Sequence, residues 1–153
     1  MQELQYLMFT VIILALLFDF INGFHDSANA IATAVSTRAL RPNTAVMMAA
    51  MLDFAGAMVS TGVAKTIGGD IVSDTHIVDE KIIIAALFGA IVWNIVTWWF
   101  AMPSSSSHAL VGGMIGAVLV SVGSMGLNFN GIGKIVIALV ASPVVAWFLG
   151  III

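Results

Sequence analysis

Asp19, Asn22, Asp26, Asn29 and Thr33 follow one another at intervals of 3, 4, 3 and 4 residues. On a helix those offsets share one face. That face offers carboxylate, carboxamide and hydroxyl oxygens and no Lys or Arg, a set suited to small hard cations. The plainer reading is that Asn and Asp glue helices together, at about 0.6–2 kcal/mol each within a membrane. Two Asp among five aligned polar residues exceed what glue requires. A charge in mid-bilayer costs at least about 2.5–3.5 kcal/mol on insertion scales, so it normally marks an ion path.

A second polar stretch, Pro103-Ser-Ser-Ser-Ser-His108, has the opposite character. Proline suits the first turn of a helix and serine its N-cap. Free N–H groups and the positive end of the dipole make a helix start an anion site, and Ser104, Ser105, Ser106 and Ser107 add hydroxyl donors. The plainer reading is a short serine-rich loop between two spans. Asp53 lies deep in the apolar run "MMAAMLDFAGAM". There it needs a proton, a cation or a donor beside it, which makes it a candidate coupling residue, with Lys65 or an Arg as the alternative partner. His25 and His108 flank the two polar stretches. Each reads better as a brace than as a metal ligand, because a lone His-Asp pair is a weak metal signal. No metal site is assigned.

The elements that must position these groups are membrane helices. Of 153 residues, 61% are hydrophobic and 8% charged, against about 25% charged in soluble domains. Mean hydropathy is +1.11. The fold class is all-α, a polytopic membrane protein and a single transmembrane domain over residues 1–153. About 20 apolar residues cross ~30 Å of hydrocarbon. By that measure about five spans are expected, at 4–20, 44–66, 82–102, 109–125 and 135–153. Two are expected to be broken or re-entrant, at Asn22-Gly23 and at Pro103, because interrupted helices mark transporter binding sites. "RALRPN" (38–43) and "GLNFNGIGK" (126–134) read as turns. Residues 68–81 read as the truly polar loop, with four of the eight acids.

The net charge of −3 and the absence of cysteine say nothing of partners or redox state, and no basic patch suits nucleic acid. The N-terminus lacks a basic region before its apolar run, so it reads as a first membrane helix, not a signal peptide. Arg38 and Arg41 balance Lys65 and Lys81, leaving orientation open with a slight lean to a cytoplasmic 38–43 turn. The chain stops on three isoleucines, which reads as a piece of something longer or a half that needs a partner. One stretch supplies acceptors and the other donors. Together they suit moving an anion with a cation or proton that neutralises it.

Three motifs carry a resemblance. "NGFHDSANAIAT" resembles the Gly-Ala-Asn-Asp-Val-Ala-Asn-Ala signature of the inorganic phosphate transporter (Pit) family. "PSSSSHALVGG" and "ASPVVAWFLG" resemble two further elements of that family, in family order. His25 departs from the signature's Asn, and the serine run replaces a more Thr-containing turn. The resemblance implies one half, the N-terminal one, of an inverted-repeat transporter of the plasma (inner) membrane. It implies inorganic phosphate transport coupled to Na⁺ or H⁺, or as a metal–phosphate complex, with no cofactor beyond the co-transported ion. Phosphate would be bound by Asp26, Asn29 and Ser104 to Ser107. Cation or proton coupling would fall to Asn22, Asp26, Asn29 and Asp53. Membrane lipid and the second half, or another copy in a homo-oligomer, would be partners. Sulfate or another oxyanion is the alternative cargo. A cation channel and an intramembrane hydrolase are weaker readings, the latter because no nucleophile elbow is present and adjacent Ser and His cannot easily meet on a helix.

Overall fold

The polar residues at 19–29 do not interrupt their helix. In the structure, a computed structural model that describes residues 2–59 and 69–152, α1 runs unbroken over Gln2–Ser36. Its 35 residues reach about 52 Å at 1.5 Å each, well beyond the hydrocarbon thickness. The break expected at Asn22-Gly23 is thus absent, and the short helix expected at 27–37 is the end of α1. The reason is local. A lone Gly costs only about 1 kcal/mol in a helix, no Pro lies between Gln2 and Ser36, and Ala28, Ala30, Ala32 and Ala34 are strong helix formers. Asn22 and Asp26 direct their side chains to another helix instead of competing for their own backbone.

The second break is present. α3 (Glu80–Trp99) starts on Asp79, whose carboxylate accepts from the Ile82 N–H at 2.9 Å. It ends because Ala101 adopts φ 51°. That residue lets the Met102 N–H reach back to the Thr97 carbonyl at 2.8 Å, a left-handed helix stop, and Pro103 cannot resume the helix. α4 (Ser106–Ser121) begins with Ser105 as its N-cap. Arg38, at φ 62°, closes α1 in the same left-handed manner. It turns the chain into α2 (Pro42–Val59), whose expected continuation to residue 66, with Lys65, lies outside the described residues. α5 (Phe129–Ile152) completes the set. Among the described residues α1, α3 and α5 are long and apolar enough to cross a membrane, and α4 is a shorter apolar helix of 16 residues.

Two cores organise the bundle. Phe18 and Ile21 of α1 pack with Leu87, Ala90 and Ile91 of α3 and Ala109 of α4. The α3–α4 contact is close enough to be made by backbone. A Cβ on Gly113 would lie 2.4 Å from the Ala86 carbonyl oxygen, the small-residue approach typical of membrane helices. The second core corrects the reading of 68–81 as merely polar. Ile71 and Val72 are buried with Val118, Leu127 and Ile135. The Asn128 N–H donates to the Ile71 carbonyl at 2.9 Å, and the Ser73 N–H to the Gly126 carbonyl at 3.0 Å. The acids of this loop stay near the surface while its apolar pair plugs the end of the bundle. α5 rises from this plug with only Gly131 and Ile135 buried. Pro143 would leave the Leu139 carbonyl without its helical donor. The Ser142 hydroxyl donates to that carbonyl at 3.4 Å.

Candidate functional site

The two polar stretches meet at one residue. Ser106, in the first turn of α4 and 1% exposed, places its Oγ against both Asn22 Oδ1 and Asp26 Oδ2 of α1. The four-residue spacing brings Asn22 and Asp26 to the same side of α1, and the helix start at Pro103–Ser105 delivers Ser106 to them. Asp26 uses its other oxygen, Oδ1, toward His25 Nδ1 at 3.2 Å. His25 is 5% exposed, while Asn22 and Asp26 are half-buried.

The chemistry of this trio is set by counting protons. Ser106 has one hydroxyl proton and faces two acceptors. The second oxygen pair is relieved by a proton on Asp26 or by a cation shared among the three oxygens. Rotated by half a turn, the Asn22 carboxamide would donate through Nδ2 and close the trio with no added charge. With Oδ1 toward Ser106, one proton or one cation among the three oxygens would balance the trio.

Asn22 and Asp26 also border a cavity of about 450 Å³ between α1 and α2, with Gly23, Ser27, Leu52 and Asp53. The Ser27 hydroxyl donates to Asp53 Oδ2 at 3.3 Å. Asp53 therefore faces the α1 stripe across the cavity, paired with a serine and not with an Arg. It also borders a second cavity of about 500 Å³, which reaches Asp19. Among the described residues no Lys or Arg lines either cavity; Lys65 lies outside them. Among the described residues no three His, Asp or Glu side chains gather as a metal cluster.

The remaining expected site residues are placed less centrally. Asn29 and Thr33 lie on the stripe but are exposed, and neither borders the 450 Å³ cavity. Ser104 and Ser105 are half-buried, and Ser105 turns its Oγ to the His108 N–H at 3.5 Å. Ser107 is exposed. The bracing expected of His108 is thus done by its backbone. His25 does brace, but it braces a carboxylate. Two polar residues escaped the sequence reading. Ser27 is one. The other is Asn94, fully buried in α3 with neither side-chain atom hydrogen-bonded. A lone Asn in the apolar run "IVWNIVTWW" was the available signal.

Apolar helices of membrane-crossing length around a buried polar cluster define a helical membrane protein with a candidate functional site. The chain belongs to the phosphate transporter family, which residues 22–153 match. It is 51% identical to a probable low-affinity inorganic phosphate transporter of Bacillus subtilis, over 99% of this chain and 46% of that protein. It is 37% identical to the low-affinity inorganic phosphate transporter PitB of Escherichia coli, over 85% of this chain and 28% of that one. A solved structure titled the sodium-dependent phosphate transporter superposes with a TM-score of 0.83 at 33% identity, covering 90% of this chain and 36% of the other. The chain thus spans less than half the length of these three proteins. They are transporters by name, and family membership sets the hydrolase reading aside.

Proposed function

We propose that this chain forms part of a carrier that moves inorganic phosphate across the plasma membrane together with Na⁺ or H⁺. The observation that carries the reading is Ser106 Oγ held between Asn22 Oδ1 and Asp26 Oδ2, beside the cavity that Asp53 closes. A cavity walled by two carboxylates repels an anion. A cation or proton must enter with it, and the oxygen trio is where that charge fits. The first-turn N–H groups of α4 have no partner within the helix. With the hydroxyls of Ser104, Ser105 and Ser107 they supply donors for the phosphate oxygens, while Ser106, the fourth serine of that run, ties it to Asn22 and Asp26. Asp26 and Asn29 complete the phosphate-facing set, and Asn22, Asp26, Asn29 and Asp53 the cation-facing one. The second half of the transporter, or another copy of this chain, would cover the site from its open side.

The test is uptake of radiolabelled phosphate into vesicles holding the protein, with a Na⁺ gradient, a proton gradient or neither. Gradient-driven uptake is expected, with Asp26→Asn abolishing it while membrane insertion stays intact. Normal uptake by Asp26→Asn overturns the site assignment. Sulfate competing as well as phosphate would change the cargo.

A further inference from the structure

Four polar side chains are buried among the described residues: His25, Asn94, Thr97 and Ser106. The helix registers bring all four to one level of the bundle. α3 and α4 run antiparallel, with Ala86 against Gly113 and Trp93 beside Ala109 and Gly112 around a common cavity. Ser106, one turn before Ala109, therefore lies beside the residues that follow Trp93. α1 and α3 run parallel. Ile21 shares a core with Ala90 and Ile91, and Phe24 stacks edge-to-face on Trp98 at 5.7 Å. Asn94, between Ile91 and Trp98, falls opposite the segment of α1 that holds Asn22, His25 and Asp26.

Of the four, His25 bonds Asp26, Thr97 donates to the carbonyls of Trp93 and Asn94, and Ser106 bonds the trio. Asn94 is 0% exposed, and neither its Oδ1 nor its Nδ2 has a partner. A buried carboxamide with both atoms unpaired is costly, and native structures seldom keep one without a purpose. At the same level Asn22 Oδ1, Asp26 Oδ2 and Ser106 Oγ converge, three oxygens that one cation would balance.

We propose that Asn94 is a fourth ligand of the co-transported cation, its Oδ1 closing a shell with Asn22 Oδ1, Asp26 Oδ2 and Ser106 Oγ. Such a shell has four oxygens and a single negative charge, which balances a monovalent ion. A divalent ion generally draws more carboxylates and more ligands. With Oδ1 on the ion, Nδ2 turns to donate to an oxygen of Asp26 or Asn22, and both unpaired atoms are satisfied. The inference rests on the coupled-transport reading of the same site and narrows its ion to Na⁺.

The test separates binding from transport. The purified protein is heated in detergent with increasing NaCl, and choline chloride holds the ionic strength constant. Wild type should be stabilised by Na⁺ without phosphate, as any ligand of the folded state stabilises it. In Asn94→Leu the Na⁺ concentration for half the effect should rise at least about tenfold, the loss of one charge-assisted ligand. Its unfolding temperature without Na⁺ should not fall, because an unpaired buried amide has been replaced by an apolar group of similar size. Asn94→Asp keeps the oxygen and should keep the Na⁺ response, which covers the case in which the Leu variant fails to fold. Wild type indifferent to Na⁺, or a Leu variant with an unchanged Na⁺ requirement, overturns the proposal. Phosphate uptake measured in parallel tells the two readings apart. Uptake without Na⁺ stabilisation sinks the Asn94 proposal alone. Na⁺ stabilisation lost in Asn94→Leu without any phosphate uptake upholds the ion site and sinks the phosphate reading.

Discussion

Ser106→Ala and Ser107→Ala are the same chemical change at adjacent positions, and the geometry assigns them opposite outcomes. Ser106 is 1% exposed and its hydroxyl is shared by Asn22 Oδ1 and Asp26 Oδ2. Ser107 is exposed on the next position of the same turn. Removing the Ser106 hydroxyl deletes a hydrogen bond to a group that is charged or that shares a cation. Such bonds are worth about 1.5–3 kcal/mol, equivalent to roughly 10- to 150-fold in affinity. If the hydroxyl also ligates the co-transported ion, the loss falls on the ion requirement of transport. The Ser107 hydroxyl bonds neither Asn22 nor Asp26 and belongs to the phosphate-facing set, so its loss should fall on the phosphate requirement and leave the ion requirement within about twofold. The assay is initial phosphate uptake into vesicles as a function of the driving ion, with expression and thermal stability of each variant measured alongside. Ser106→Ala should raise the half-saturating ion concentration by at least about tenfold, and Ser107→Ala should leave it within about twofold. Equal effects of the two substitutions, or an unaffected Ser106→Ala, would refute the reasoning that burial and contact with α1 single out one serine of the four.

Gly113→Ala would bring a Cβ to 2.4 Å from the Ala86 carbonyl oxygen. The α3–α4 contact must open, at a cost of about 1–3 kcal/mol, read as a lowered unfolding temperature in detergent. Asp53→Asn removes the charge across the cavity from Asp26 while keeping an acceptor for Ser27. It should alter the pH or Na⁺ dependence of uptake, and an unchanged profile would remove Asp53 from coupling. His25→Leu removes the group that meets Asp26 Oδ1, so it should lower uptake while leaving membrane insertion intact; unchanged uptake would remove His25 from the site.

Composition alone decided that this is a helical membrane protein. With 8% charged residues in 153 there is too little polar surface for a soluble fold, and in hydrocarbon the backbone must satisfy itself, which helices do locally. The polar stripe on α1 and the break before the serine run were likewise legible, because helix periodicity and proline geometry act within a few residues; that α3 ends at Trp99, three residues short of the expected Met102, follows from the left-handed Ala101. The unbroken course of α1 was not. Whether Asn and Asp bend their own helix or bond another depends on what stands opposite, and Ser106 is 80 residues away from Asp26 in the chain. The same limit hid the choice among four chemically equivalent serines, which only the docking of α4 against α1 makes. It hid the burial of Ile71 and Val72 inside a loop that reads as polar. It also hid Asn94, one amide in an apolar run, whose meaning comes from the three oxygens on other helices that tertiary packing sets at its level.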